Sequence, residues 1–222
     1  MTTRFEPSYG TDDAGAGPRA GAGASGVFTI LTVCTGNICR SPLAEVALRR
    51  ALACDEVPTV FAVASAGTRA DPRSAVPHES VTSAALAHLD LSTHSPRLLT
   101  ATMLADADLV LGLSREHRRA AAVMLPRITR KTFTLNEFAR IAHYTLPGLV
   151  PSISSDTPRA RLTEAVRLAA ATRGTLPALD YPGQLDVSDP FARDESVYAA
   201  SRLDVLRAVE TIADVLGQVA RR

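Results

Sequence analysis

The sequence contains a single lysine, Lys131, no tryptophan and only three cysteines. Almost all of its cationic side chains are arginines, scattered rather than blocked. Cations and anions nearly cancel, at a net charge of +1. Composition therefore gives no footprint for nucleic acid or for a membrane surface. No run approaches the ~20 apolar residues of a membrane helix. Met1–Gly26 has no apolar h-region, so no secretory signal is expected there. Three cysteines, at positions 34, 39 and 54, cannot all pair with one another. They favour thiol chemistry in a reducing, cytoplasmic setting. They also lack C-x2-C spacing and have no histidine pair nearby, so neither a metal nor a cofactor is expected.

What is present suits a globular enzyme. The apolar share is 46% of 222 residues, enough for one domain with a real core. Residues 1–26 are rich in glycine and alanine and read as a disordered tail, leaving 27–222 as the domain. Gly21–Gly26, GAGASG, matches the G-x-G-x-x-G dinucleotide pattern, but that motif must follow a strand and open a helix. Here it precedes a strand, so it is read as tail.

Val27–Val33 (VFTILTV) is a short β-branched and apolar run and predicts a buried strand. Ser41-Pro42 offers an N-cap followed by proline at the first helical position, ahead of apolar positions at helical spacing. Further strands are predicted at Thr59–Ala64, Asp108–Leu113 and Thr132–Thr134. Helices are predicted at Glu79–Leu89, Arg115–Met124 with Ser114 as cap, Leu135–His143, Arg159–Thr172 and Val197–Val219. This alternation argues an α/β fold of three layers: a four-stranded parallel sheet with helices on both faces. Residues 144–185, with several prolines and glycines, read as an insertion or lid directly before Asp189, expected to gate or reshape a pocket.

One segment has the setting that chemistry needs. Cys34-Thr35-Gly36-Asn37-Ile38-Cys39-Arg40-Ser41 follows the first strand and leads into a helix. Helix N-termini and successive loop N–H groups suit a phosphate dianion. Gly36 permits backbone conformations that other residues resist. Loop N–H groups and Arg40 would stabilise a thiolate at Cys34, and a planar guanidinium can hold two phosphate oxygens at once. A lone Cys-x5-Arg is a weak motif; the strand–loop–helix placement makes it a candidate site.

At this point the sequence resembles the low-molecular-weight protein tyrosine phosphatases. The stretch VCTGNICRSPLAE (Val33–Glu45) is close to that family's signature. Ser65–Thr68 (SAGT), and Asp189-Pro190 with Tyr198 beyond, are similar in a supporting way. The resemblance implies a phosphotyrosine phosphatase working through a phosphocysteine intermediate, on a protein substrate such as a bacterial tyrosine kinase. It implies Cys34 as nucleophile, Arg40 as phosphate clamp, Ser41 as hydrogen-bond donor to the thiolate and Asn37 as a brace. It implies Asp189 as general acid, then base, with Asp186 and Asp194 as the flanking alternatives. Cys39 is either a small buried residue or a redox partner of Cys34. Cys54 is expected in the core, and His94 is given no role.

There are departures from the family pattern. Where it places a bulky pocket wall, this chain has Arg69-Ala70-Asp71, and after Phe191 it has Ala192 instead of a second aromatic. Phe191 is the expected apolar contact for a substrate ring. Three other functions share the loop. Arsenate reduction needs further thiols, and no cysteine follows Cys54. Arginine phosphatases carry threonine where this loop has Ile38. A non-catalytic phosphate-binding module would be expected to lack the cysteine, the arginine or the acid.

Overall fold

The structure, a computed structural model, describes residues 26–53 and 60–222. The expected tail before Gly26, most of its GAGASG run, Cys54 and Thr59 lie outside the described residues. Strands β1 (Phe28–Cys34), β2 (Phe61–Gly67), β3 (Leu109–Gly112) and β4 (Thr132–Thr134) pair in parallel, in the order β2-β1-β3-β4. Helices α1 (Arg40–Leu52), α2 (His78–Ala85), α3 (Ala101–Asp106), α4 (Arg115–Met124), α5 (Leu135–Tyr144), α6 (Leu146–Leu149), α7 (Pro158–Ala171) and α8 (Glu195–Arg221) surround the sheet. The predicted parallel α/β fold is the observed one.

The apolar runs of the strands follow from burial on both faces. Phe28, Ile30, Leu109, Leu111 and Phe133 face a core completed by α1, α5, α7 and α8. Leu31, Val33 and Val110 face a smaller core under α3, α4 and the 3-10 turn Pro126–Lys131. Each such side chain fully removed from water contributes roughly 1.5–3 kcal/mol before entropy is counted. Thr32 is buried in the middle of β1, and its hydroxyl is satisfied by donating to Ser41 O at 2.9 Å.

Local signals fix several boundaries. The Ser114 side chain accepts from His117 N at the start of α4, as predicted. Thr134 and Glu137 form a reciprocal capping box at α5. Thr157 caps α7, with Pro158 in its first turn. Lys131 donates to the carbonyls of Ala105 and Ala107, where α3 ends.

Three predictions need correction. Helix α1 begins at Arg40 with Cys39 in the cap position, and Ser41 does not cap it because its hydroxyl is engaged by the Cys34 sulfur. Strand β2 runs three residues further than predicted, to Gly67. Helix α2 stops at Ala85, and the chain turns through His88 at a φ of 57°. Helix α3 was not predicted; six residues are too few to show a period.

Residues 144–185 supply α6, α7 and short 3-10 turns. Leu146, Val150, Leu162, Ala165, Val166 and Ala169 are buried in the larger core. Arg161 donates to Val219 O at 3.1 Å and Ala220 O at 2.7 Å, near the end of α8. Arg173 lies over the Phe133 ring at 4.3 Å, with its Nε 2.8 Å from Glu137 Oε1.

Candidate active site

Ligands in open parallel sheets bind beyond the carboxyl ends of the strands, where neighbouring connections diverge. Central strand β1 ends there on Cys34, between the ends of β2 and β3. The loop that follows is held from both sides. Thr68 N donates to Cys34 O and Arg69 N to Thr35 O, each at 2.9 Å. Gly67 permits this approach: a Cβ there would lie 2.5 Å from Thr35 O and 2.9 Å from Asn37 N.

Asn37 is the loop's buried hub. It, rather than Gly36, takes the left-handed backbone conformation, with a φ of 56°, which asparagine tolerates better than most residues. Its Nδ2 donates to Ser65 Oγ at 2.7 Å and to Ser41 Oγ at 2.9 Å. Its Oδ1 accepts from Arg97 N at 2.8 Å, and its carbonyl accepts from His94 Nε2 at 2.9 Å. Ser65 Oγ in turn donates to the buried Glu45 carboxylate at 2.5 Å. Glu45 is also paired with Arg49 at 2.6 Å.

Two donors converge on the Cys34 sulfur: Ser41 Oγ at 2.9 Å and Asn37 N at 3.2 Å. Arg40 is buried at the start of α1. Its Nη1 donates to Val187 O at 3.2 Å and its Nη2 to Asp189 Oδ2 at 2.7 Å. Arg40 of the cysteine loop and Asp189 thus meet, although 149 residues separate them. Asp189 is half exposed. Its rivals are placed differently. Asp186 is held in a forked ion pair by Arg115, and Asp194 precedes the first turn of α8.

Cys34 and Cys39 are both free. Burial pushes the Cys39 thiol up to about 11, so at neutral pH it carries its proton. Phe191 is 56% exposed. Ala192, next to it, has a φ of 56°. Asp71 is paired with Arg73 at 3.0 Å, which makes that side polar, as its sequence suggests. Ile38 is partly buried and leans on Gly36.

Two histidines of the site escaped the sequence reading. His94 was given no role, yet it braces the loop at the Asn37 carbonyl. His117 is buried on α4, with Nε2 2.9 Å from Thr35 Oγ1 and Nδ1 2.9 Å from Ser114 Oγ. Burial and then the Arg40 charge push it down to about 4, so its ring is neutral. Position 94 carried a weak signal, a histidine where the family often has one. Nothing local distinguishes His117.

A family model described as low molecular weight phosphotyrosine protein phosphatase matches residues 29–147. That span contains the cysteine loop and stops short of Asp189. The protein-arginine-phosphatase of Bacillus subtilis is 38% identical over 51% of this chain and 74% of its own length. The probable low molecular weight protein-tyrosine-phosphatase EpsP of Ralstonia solanacearum is 37% identical over 50% and 72%. The crystal structure of the tyrosine phosphatase Wzb from Escherichia coli K30 superposes with a TM-score of 0.58 at 21% identity. It covers 85% of this chain and 97% of that one, a likeness of fold that extends well past residue 147. On the matched span and the identities of these relatives, the chain belongs to the low molecular weight phosphotyrosine protein phosphatase family.

Proposed function

We propose that this protein hydrolyses phosphotyrosine in protein substrates through a phosphocysteine intermediate, with residues 27–222 acting as one phosphatase domain. The observation that carries this reading is the convergence at the end of β1. Two hydrogen-bond donors point at the Cys34 sulfur, and Arg40 bridges from the loop to Asp189. In the first step the Cys34 thiolate attacks phosphorus. The S–P bond forms, the P–O bond to the tyrosine ring breaks, and Asp189 gives its proton to the leaving phenolate. Loop N–H groups from Thr35 to Ser41 and the Arg40 fork hold the equatorial oxygens as their charge develops. In the second step Asp189 takes a proton from water, and the water oxygen attacks phosphorus. The S–P bond breaks, and the Ser41 hydroxyl stabilises the departing thiolate.

The substrate class rests on the wall of the pocket. Phe191 offers an aromatic contact, and Ile38 places a branched apolar group where a guanidinium would need a polar partner. The likeness to a protein-arginine-phosphatase is the specific observation that favours phosphoarginine as a second reading. Arsenate reduction is disfavoured because no cysteine follows Cys54. A silent phosphate-binding module is disfavoured by the presence of Cys34, Arg40 and Asp189 together. The partner proposed is a phosphotyrosine-bearing protein, such as a bacterial tyrosine kinase, met in the cytoplasm. No described helix is long and apolar enough to cross a membrane.

The test is turnover of phosphotyrosine, phosphoarginine and phosphoserine peptides by wild type and Cys34→Ser. Phosphotyrosine is expected to be the preferred substrate, and Cys34→Ser is expected to be inactive on all three. Preference for phosphoarginine would replace the substrate, and undiminished turnover by Cys34→Ser would remove the mechanism.

A further inference from the structure

The loop that holds the phosphate and the loop that holds the acid come from distant parts of the chain, yet one short piece of backbone grips both. That piece is the first turn of α4. Its entry from β3 is tight: a Cβ on Gly112 would lie 2.7 Å from Arg118 N and 3.1 Å from Ser114 O. The turn therefore has little room to shift against the sheet.

Arg115 reaches toward the acid loop. Its Nε and Nη2 lie 3.0 and 2.7 Å from Asp186 Oδ2, and its backbone N donates to Asp186 Oδ1 at 2.7 Å. The next residue continues the attachment, since Val187 N donates to Leu113 O at 2.9 Å. Asp189 follows two positions later. His117 reaches toward the phosphate loop. Ser114 Oγ accepts from His117 N, so its own proton is free for Nδ1. Nε2 then carries the ring proton and donates to Thr35 Oγ1, the residue after Cys34. A neutral ring is the form that this chain of bonds requires.

We propose that the first turn of α4 sets the register between the two halves of the site. In this arrangement Arg115, acting through Asp186, is a positioning residue for Asp189. His117, acting through Thr35, is a positioning residue for the phosphate loop. The inference builds on the proposed phosphatase function. It gives Asp186, a rival for the acid in the sequence, a separate task as the acid loop's anchor.

Because the two grips act on different partners, they separate kinetically. Phenyl phosphate needs a proton for its poor leaving group, whereas 2,4-dinitrophenyl phosphate does not. Arg115→Ala is expected to lower kcat/KM, which reports only the steps up to the phosphocysteine, about tenfold or more for phenyl phosphate and less than about twofold for 2,4-dinitrophenyl phosphate. Inhibition by inorganic phosphate should be unchanged. His117→Ala is expected to weaken inhibition by phosphate about tenfold and to slow both esters alike. Equal losses of kcat/KM for both esters in Arg115→Ala, or unchanged phosphate inhibition in His117→Ala, would overturn the proposal. A wild type inert toward both esters would instead remove the phosphatase reading on which the register depends.

Discussion

Protonating His117 would place a cation in a buried position that already faces the Arg40 guanidinium. That is why its folded-state value falls from 6.5 to about 4. The sign follows from the direction. A group that is harder to protonate in the folded state favours folding at pH values above its unfolded value. That advantage is lost as the pH falls from about 6.5 toward 4. At about 1.4 kcal/mol per unit, the full loss is on the order of 3 kcal/mol. Urea unfolding of wild type between pH 7.5 and 4.5 should show this slope, and His117→Gln should flatten it. Equal slopes in the two proteins would place the acid sensitivity elsewhere. Asn37 was legible as a brace only through the family resemblance. Its left-handed backbone was not, because glycine beside it is the residue that normally announces such a turn.

At the level of elements, the strand–loop–helix unit was readable because its signals are local. A β-branched run, a glycine and a proline at the start of a helix all act within a few residues. Ser114 was equally informative as a cap, since a cap bonds to the backbone only three positions on, whereas Thr134, read only as strand, also caps α5. The same local logic misassigned Ser41, whose hydroxyl turns toward sulfur instead of the helix backbone. It also left out His94 and His117, whose partners lie 57 and 82 residues away. The end of β2 belongs to this scale too. Gly67→Ala would drive a methyl group against the backbone of Thr35 and Asn37, atoms that cannot rotate away. A shift of the loop by about 1 Å can cost on the order of 100-fold in rate, so kcat/KM is expected to fall by about that factor. Gly36→Ala is the control, because its new methyl meets only the flexible Ile38 side chain, at 3.3 Å. Comparable losses in the two variants would show that the close approach at Gly67 is not what shapes the loop.

Across the whole molecule, residues 144–185 are tied to the remainder by arginine. Arg159 pairs with Asp108, Arg161 binds the last carbonyls of α8, and Arg173 bridges β4 to Glu137. The cations are almost all arginine, and at these positions the planar fork makes contacts a lysine could not copy. The lone lysine falls, in sequence, between the cysteine loop and Asp189. Lys131 lies just before β4, its amine bound to two carbonyls at the end of α3. An endoprotease that cuts only after lysine therefore has one target peptide bond in the entire sequence. Cleavage would leave Cys34 and Arg40 on one fragment and Asp189 on the other. The folded chain is expected to resist such a protease and to be cut once as it unfolds. Two-band digestion would then report the unfolded fraction directly, whereas rapid cutting under native conditions would reveal local opening at the β4 edge. The scarcity of lysine gives this protein a built-in, single-site gauge of its own stability.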